Sequence, residues 1–202
     1  WKVGKREYVQ TLEPRAYFLY IPYRNQNQLP NFDTAQADFN FAQMFTENRF
    51  FGNDRIGDAQ QVTLSLTSRL LDANSGAERL RVAIGQRFSF KTPLVNLVSP
   101  VEATNSKSDI LLAVLGQVTP AWSLNSALQY NPNQARTEKL NVGARYQPES
   151  GKVLNLGYRF TRNSLRQVDI STQWPLSQRW HAMARWNYSL QDNRILELLT
   201  GV

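Results

Sequence analysis

No cysteine occurs in these 202 residues, which excludes a disulfide framework, a thiolate zinc site and a thiol nucleophile while leaving the redox compartment open. Histidine is nearly as scarce. His181 stands alone, and no nucleophile-elbow pattern accompanies any of the serines, so a serine–histidine–acid triad has no support. Glycine-rich G-x-G-x-x-G and P-loop patterns are missing, as are clusters with metal-ligand spacing. The expectation is a protein that is not an enzyme and holds no cofactor or metal. No apolar run approaches the ~18 residues of a membrane-crossing helix, and mean hydropathy is −0.47. Neither observation excludes a membrane β-barrel, whose lumen residues and loops dilute the average. Trp1-Lys2-Val3-Gly4 offers neither an initiator methionine nor an apolar leader, so the chain is expected to be processed or cut from something larger.

Acidic residues are the minority charge: 16 Asp and Glu against 23 Lys and Arg, for a net charge of +7. Nucleic-acid footprints are usually clustered patches or basic helices. Here the basic residues are scattered along alternating segments, so no nucleic-acid partner is expected. An anionic lipid or surface glycolipid fits better, although charge alone specifies only an anion.

What the chain does contain is alternation. Leu80, Val82, Ile84, Gln86, Phe88 and Phe90 alternate with Arg81, Ala83, Gly85, Arg87 and Ser89. Trp122, Leu124, Leu128 and Tyr130 alternate with Ser123, Asn125, Ala127 and Gln129. The same pattern runs through Leu154, Leu156, Tyr158 and Phe160, and through Trp180, Ala182, Ala184, Trp186, Tyr188 and Leu190. A period of two puts each set on one face of a strand. Soluble strands average about 5–6 residues, whereas transmembrane strands need about 9–11. Trp122 and Tyr130 share a face eight residues apart, a span of roughly 27 Å at strand rise. Tilted, that projects to roughly 21 Å, near the ~25 Å apolar band between aromatic girdles of outer-membrane barrels. A β-sandwich also alternates and stays open as an alternative.

Gly, Pro, Asn and Asp clusters divide the chain at regular intervals. They predict strands near 8–21, 35–46, 59–71, 78–91, 108–118, 121–131, 137–147, 152–162, 165–174, 179–190 and 194–202. The predicted fold class is therefore all-β: an antiparallel up-and-down transmembrane β-barrel segment of about eleven strands, part of a larger barrel. Pro22–Thr34, Phe50–Asp58 and Lys91–Lys107 are candidate external loops. In 35–46, Ala35, Ala37, Phe39 and Phe41 alternate, but Ala42, Met44 and Phe45 break phase and also suit a helical turn. Pro14, inside the first long strand, reads as an edge or bulge position or as a deliberately weak seam.

On the polar phase, Arg69, Arg79, Arg81, Arg87, Arg145, Arg159 and Arg185 point one way, with Glu13, Arg15, Lys139 and Asp169 among them. They are either hydrated, partly paired charge ladders or contacts for an anion or a partner's carboxylate, which guanidinium binds bidentately.

Three stretches resemble one family. Thr11-Leu12-Glu13-Pro14-Arg15 opens a strand, Leu29-Pro30-Asn31-Phe32-Asp33 follows, and Glu47-Asn48-Arg49-Phe50-Phe51-Gly52-Asn53-Asp54-Arg55-Ile56 completes the block. Gln61-Val62-Thr63, Leu66-Thr67-Ser68-Arg69, Glu78-Arg79 and Ile84-Gly85-Gln86 continue it. Together they resemble the LPS-assembly protein family of the Gram-negative outer membrane, LptD or OstA. The resemblance implies a very large outer-membrane barrel that inserts lipopolysaccharide into the outer leaflet. It also implies an LptE-type lipoprotein plug in the lumen, a periplasmic domain that meets a lipopolysaccharide bridge, and a lateral opening between first and last strands. The periplasmic domain and the family's cysteines are not in this sequence. Residues 1–202 are therefore expected to be a central to C-terminal portion of the barrel without its gate strands. A porin-like or other outer-membrane barrel and a soluble glycan-binding β-sandwich are the alternatives.

Overall fold

The computed structural model of this chain describes residues 2–3, 6–97, 107–177 and 179–202. In chain order the strands are β1 (Lys2–Val3), β2 (Arg6–Ile21), β3 (Ala35–Gln36), β4 (Phe50–Phe51), β5 (Ala59–Asp72), β6 (Glu78–Ser89) and β7 (Ile110–Gln117). They continue with β8 (Trp122–Asn131), β9 (Arg136–Tyr146), β10 (Val153–Thr161), β11 (Leu165–Pro175), β12 (His181–Ser189) and β13 (Arg194–Gly201). The small strands β3 and β4 pair with each other, and the other eleven form one sheet in sequential order. Every pairing in that sheet is antiparallel. Among the described residues β13 does not pair with β1. The sheet is an open stretch of up-and-down wall, a piece of a barrel.

Register carries the alternation from strand to strand. One row runs Leu66, Ile84, Leu112, Leu128, Leu140, Phe160 across β5 to β10. Another runs Leu124, Ala144, Leu156, Ile170, Trp186, Leu198 across β8 to β13. Directly opposed residues share a face, so the even-numbered apolar residues form one continuous surface. The opposite face is polar, with Arg69, Arg81, Leu115, Asn125, Gly143, Gly157, Asp169, Asn187 and Glu197 in one row. A one-residue slip would invert every strand, which is why a two-faced sheet specifies its register strongly.

The apolar face is bare. Leu12, Phe18, Leu64, Ile84, Leu124, Leu156 and Leu198 are 39–66 % exposed. No second sheet covers it among the described residues, and a β-sandwich would bury that surface against a partner sheet. Among the described residues no helix is long and apolar enough to cross a membrane, which says nothing of crossing by strands.

The two ends of the sheet differ. At one end the strands are joined by the turns after Asp72, Gln117, Tyr146 and Pro175, each four to six residues long. At the other lie the short turns around Ala135, Asn163 and Asn193, where Asn163 and Asn193 take φ of 58° and 52°. Asparagine tolerates that left-handed conformation better than most residues. The same end carries both long connections, Pro22–Asp58 and Phe90–Asp109.

The expected strand at 35–46 is a correction. Only Ala35–Gln36 is extended, and Gln43–Phe45 is a 3₁₀ turn. Alternation at Phe39 and Phe41 does not make a wall strand, because this segment docks across the sheet. Pro14 pairs with Leu66 of β5, while β1 reaches β2 only at Arg6 and Glu7. Among the described residues nothing pairs with Pro14 on its other side. Residues 98–106 of the expected Lys91–Lys107 loop lie outside the described residues.

Candidate functional site

The two expected external loops at Pro22–Thr34 and Phe50–Asp58 are parts of one insert between β2 and β5, and it folds back onto the polar face. Met44 has no exposed surface. Its carbonyl accepts the Thr63 hydroxyl at 3.0 Å. Its thioether sits over Gly85, where an added Cβ would come 2.8 Å from Met44 Cε. Phe45 meets Tyr17 edge-on at 6.2 Å, and the Arg15 guanidinium lies 3.8 Å from its ring centre. Arg87 donates to the Gln43 carbonyl at 2.6 Å, and Lys139 pairs with Asp38. Arg15, Tyr17, Thr63, Gly85, Arg87 and Lys139 all belong to the polar rows.

The blocks that carry the family resemblance hold this insert together. The Asp54 carboxylate accepts the N–H groups of Phe32 at 2.7 Å and Asp33 at 2.9 Å. Backbone N–H donation from Asp33 and then Phe32 holds its pKa below the ordinary carboxylate value. Arg55 donates to the carbonyls of Pro30 and Leu29. Gly52 takes φ +84°, and a Cβ there would stand 2.7 Å from the Asp33 carbonyl oxygen, so only glycine fits. Asn48 receives the Gly57 N–H at 3.0 Å and donates to the Arg55 carbonyl at 2.8 Å. Asp58, buried, accepts the N–H groups of Leu94 at 2.8 Å and Val95 at 2.9 Å. Arg49 donates to the Val95 carbonyl and to Asn96. Burial pulls the Arg49 guanidinium below its ordinary pKa, and the Asp58 charge partly restores it. The motif is thus a loop lock, joining the insert to itself and to the start of the second long connection.

The seven expected arginines do not form one cluster. Arg69 and Arg81 stand directly opposite each other, a repulsive arrangement on its own. Glu13, 3.2 Å from Arg69, and Glu78, 2.8 Å from Arg81, offset it. Arg79 sits at a bulge between β5 and β6, reaching Asp72 at 3.6 Å and Gln117 at 2.9 Å. Arg185 pairs with Asp169 at 3.1 Å and Glu197 at 3.2 Å. Arg87 lies under the insert. Arg145 and Arg159 are different: Arg145 donates only to the neutral Gln147 at 2.9 Å, and Arg159 faces Asn141 and Gln167 across its strands. Neither has an acidic partner among the described residues. His181 is exposed at the end opposite the long connections, across from Pro175. Sequence reasoning missed Met44 as a contact of the inner face, and Arg49 and Asp58 as ties to the second long connection. The available signal was the run of small residues Thr63, Ser65, Ala83 and Gly85 on that face, which leaves a hollow for something to fill.

A two-faced open sheet with long connections at one end and its own loop on the polar side defines a class: the wall of a large transmembrane β-barrel. The chain belongs to the LptD family, because residues 1–180 match the family described as LPS transport system D. It is 50 % identical over 200 residues to the LPS-assembly protein LptD of Nitrosospira multiformis, an alignment covering 99 % of this chain and 21 % of that protein. The LptD of Aromatoleum aromaticum is 51 % identical over 197 residues, covering 98 % and 25 %. That of Thiobacillus denitrificans is 46 % identical over 196 residues, covering 97 % and 27 %. The chain thus spans about a quarter of the length of these relatives.

Proposed function

We propose that this chain is part of the outer-membrane translocon that inserts lipopolysaccharide into the outer leaflet, with no bond made or broken by this segment. The apolar rows face lipid and the polar rows line the lumen. The continuous bare apolar surface carries this reading, since a surface of that extent needs a hydrocarbon partner. The long connections at one end support an external position for that end, with the turns after Asp72, Gln117, Tyr146 and Pro175 periplasmic. The bare polar rows of β8 to β12 offer a surface for an LptE-type lipoprotein plug or for passing sugar, and Arg145 and Arg159 are its uncommitted cations.

Photocrosslinkers in the full-length protein test this. Asn125, Arg145 and Arg159 are expected to capture lipopolysaccharide or the lipoprotein, and Leu124 and Leu156 only membrane lipid. Equal yields from the two sets would overturn the assignment of faces.

A further inference from the structure

A polar cavity of about 400 Å³ lies between the insert and the wall, lined by Phe39, Gln43 and Arg49 on one side and Gln61, Arg87 and Gln129 on the other. Lys107 and Asp109 also border it. That volume is within the usual range for small-ligand sites. Three cations face one carboxylate, and Asp109 already accepts the Gln129 amide at 2.7 Å. Neither Arg49 nor Arg87 forms an ion pair among the described residues, and the two guanidiniums repel each other. The nearby Asp58 spends its oxygens on the Leu94 and Val95 N–H groups.

Both side chains are held in place while part of each remains unused. Arg49 is anchored through Nη2 on Val95 and Asn96, with its guanidinium 4.9 Å from the Phe50 ring centre. Arg87 is anchored through Nη2 on Gln43 and lies 5.4 Å from the Phe39 ring centre. The Nε atom of each is buried and has no hydrogen-bond partner among the described residues. A buried charged donor left unsatisfied is costly, and two like charges sharing a cavity add to that cost. A tetrahedral oxyanion removes both penalties, since its oxygens accept from two guanidinium edges at once.

We infer that Arg49 and Arg87 together bind one phosphate-type oxyanion between the insert and the wall. A bound anion bridges Arg49 of the insert and Arg87 of β6, so it also pins the insert to the lumen face. The site rests on the cavity itself; only a sugar-borne phosphate as its source rests on the reading of the polar face as a lipopolysaccharide passage.

The test uses the full-length protein in detergent and an arginine-specific dicarbonyl reagent, read residue by residue by mass spectrometry. Inorganic phosphate at millimolar concentration should slow modification of Arg49 and Arg87 while Arg145 and Arg159 react unchanged. Purified lipopolysaccharide is the second probe, and protection by both assigns the site to sugar-borne phosphate. Protection by phosphate alone assigns it to the free ion. Arg49→Gln and Arg87→Gln should each weaken phosphate binding by about tenfold or more, since each removes a charged hydrogen-bond partner; Arg159→Gln should not. Arg87 also holds the insert through Gln43, so the protection assay on the unaltered protein stands independently of the variants. Equal reactivity of Arg49 and Arg87 with and without both probes would overturn the proposal. Lipopolysaccharide capture at Asn125 and Arg145 would survive that result, which separates this site from the transport reading.

Discussion

The part of the sheet built from β2, β5 and β6 and the part built from β8 to β13 share one backbone plan but treat their inner faces differently. The first has strands of 16, 14 and 12 residues and receives the insert. The second has strands of 8 to 11 residues joined by short turns. Burial follows the same division. Leu19, Met44, Phe50, Thr63, Ala83, Val95 and Leu111 are buried on the capped side or beside it, while Asn187 and Ser189 are the buried residues among those described in β8 to β13. The lesson is that pairing alone builds the wall, while a separate set of contacts decides what stands on its polar side. Small residues at Ser65 and Gly85 make a hollow, and the insert fills it. Across β9 to β11, Asn141, Arg159 and Gln167 stand opposite one another on that face and leave it to water or to another molecule.

The sharpest way to break this contrast is at Met44. Met44→Ala should cost about 2–5 kcal/mol through lost packing and the cavity left over Gly85. The loss should fall on the insert alone, so hydrogen exchange of 35–50 should rise while heat-modifiable mobility of the barrel persists. Global loss of the barrel form would show that the cap and wall are one cooperative unit.

On the bare side the sensitivity should belong to the outer face. Leu156→Arg should cost about 2–4 kcal/mol if that row faces hydrocarbon at the midplane. Asn155→Arg, one residue away on the polar face, should stay near neutral. Unfolding in detergent or lipid by denaturant titration measures both, and similar costs would remove the two-faced reading.

Gly52→Ala should cost about 1–3 kcal/mol from the left-handed backbone alone, with a further contribution from the Asp33 carbonyl. Limited proteolysis within 30–56 is the readout. The regular turns at Asn163 and Asn193 should show no such sensitivity to mutation at Gly52.

Acid should loosen the cap before the wall. Asp54 has a folded pKa below its ordinary value of 3.8. Its contribution is therefore complete above that value and is lost as pH falls through the lowered folded value. Exchange at the Phe32 and Asp33 amides should rise over that window, and Asp54→Asn should flatten the dependence. The smallest effect is expected at the exposed Asp38–Lys139 pair, where Asp38→Asn should change stability by no more than about 1 kcal/mol. A larger loss would mean that the insert is latched to β9 by charge rather than seated by Met44.

Ten wall strands were legible as alternating segments bounded by turn residues, because facing in a strand depends only on residues two apart. The segment 35–46 misled for the same reason. Phe39 and Phe41 alternate, yet Phe39 stacks beside Arg87 and Met44 fills the space over Gly85, contacts that reach across more than forty positions. The arginines show the limit from another side. All seven share residue type and most share phase, but their partners separate them: Glu13 across the strands for Arg69, Glu78 on the same strand for Arg81, Asp169 and Glu197 on neighbouring strands for Arg185, and the insert for Arg87.

By itself, then, the amino-acid order determined ten of the wall strands, the division into an apolar and a polar face, and the family blocks at 29–33 and 47–56. Only the tertiary structure decided that those blocks lock a loop onto the polar face, that Arg49 joins Arg87 there, and that Arg145 and Arg159 remain without acidic partners. The reason is physical. Alternation is a local property of the extended backbone, whereas docking and charge pairing depend on which distant residues register and long-range packing bring within a few ångströms of one another.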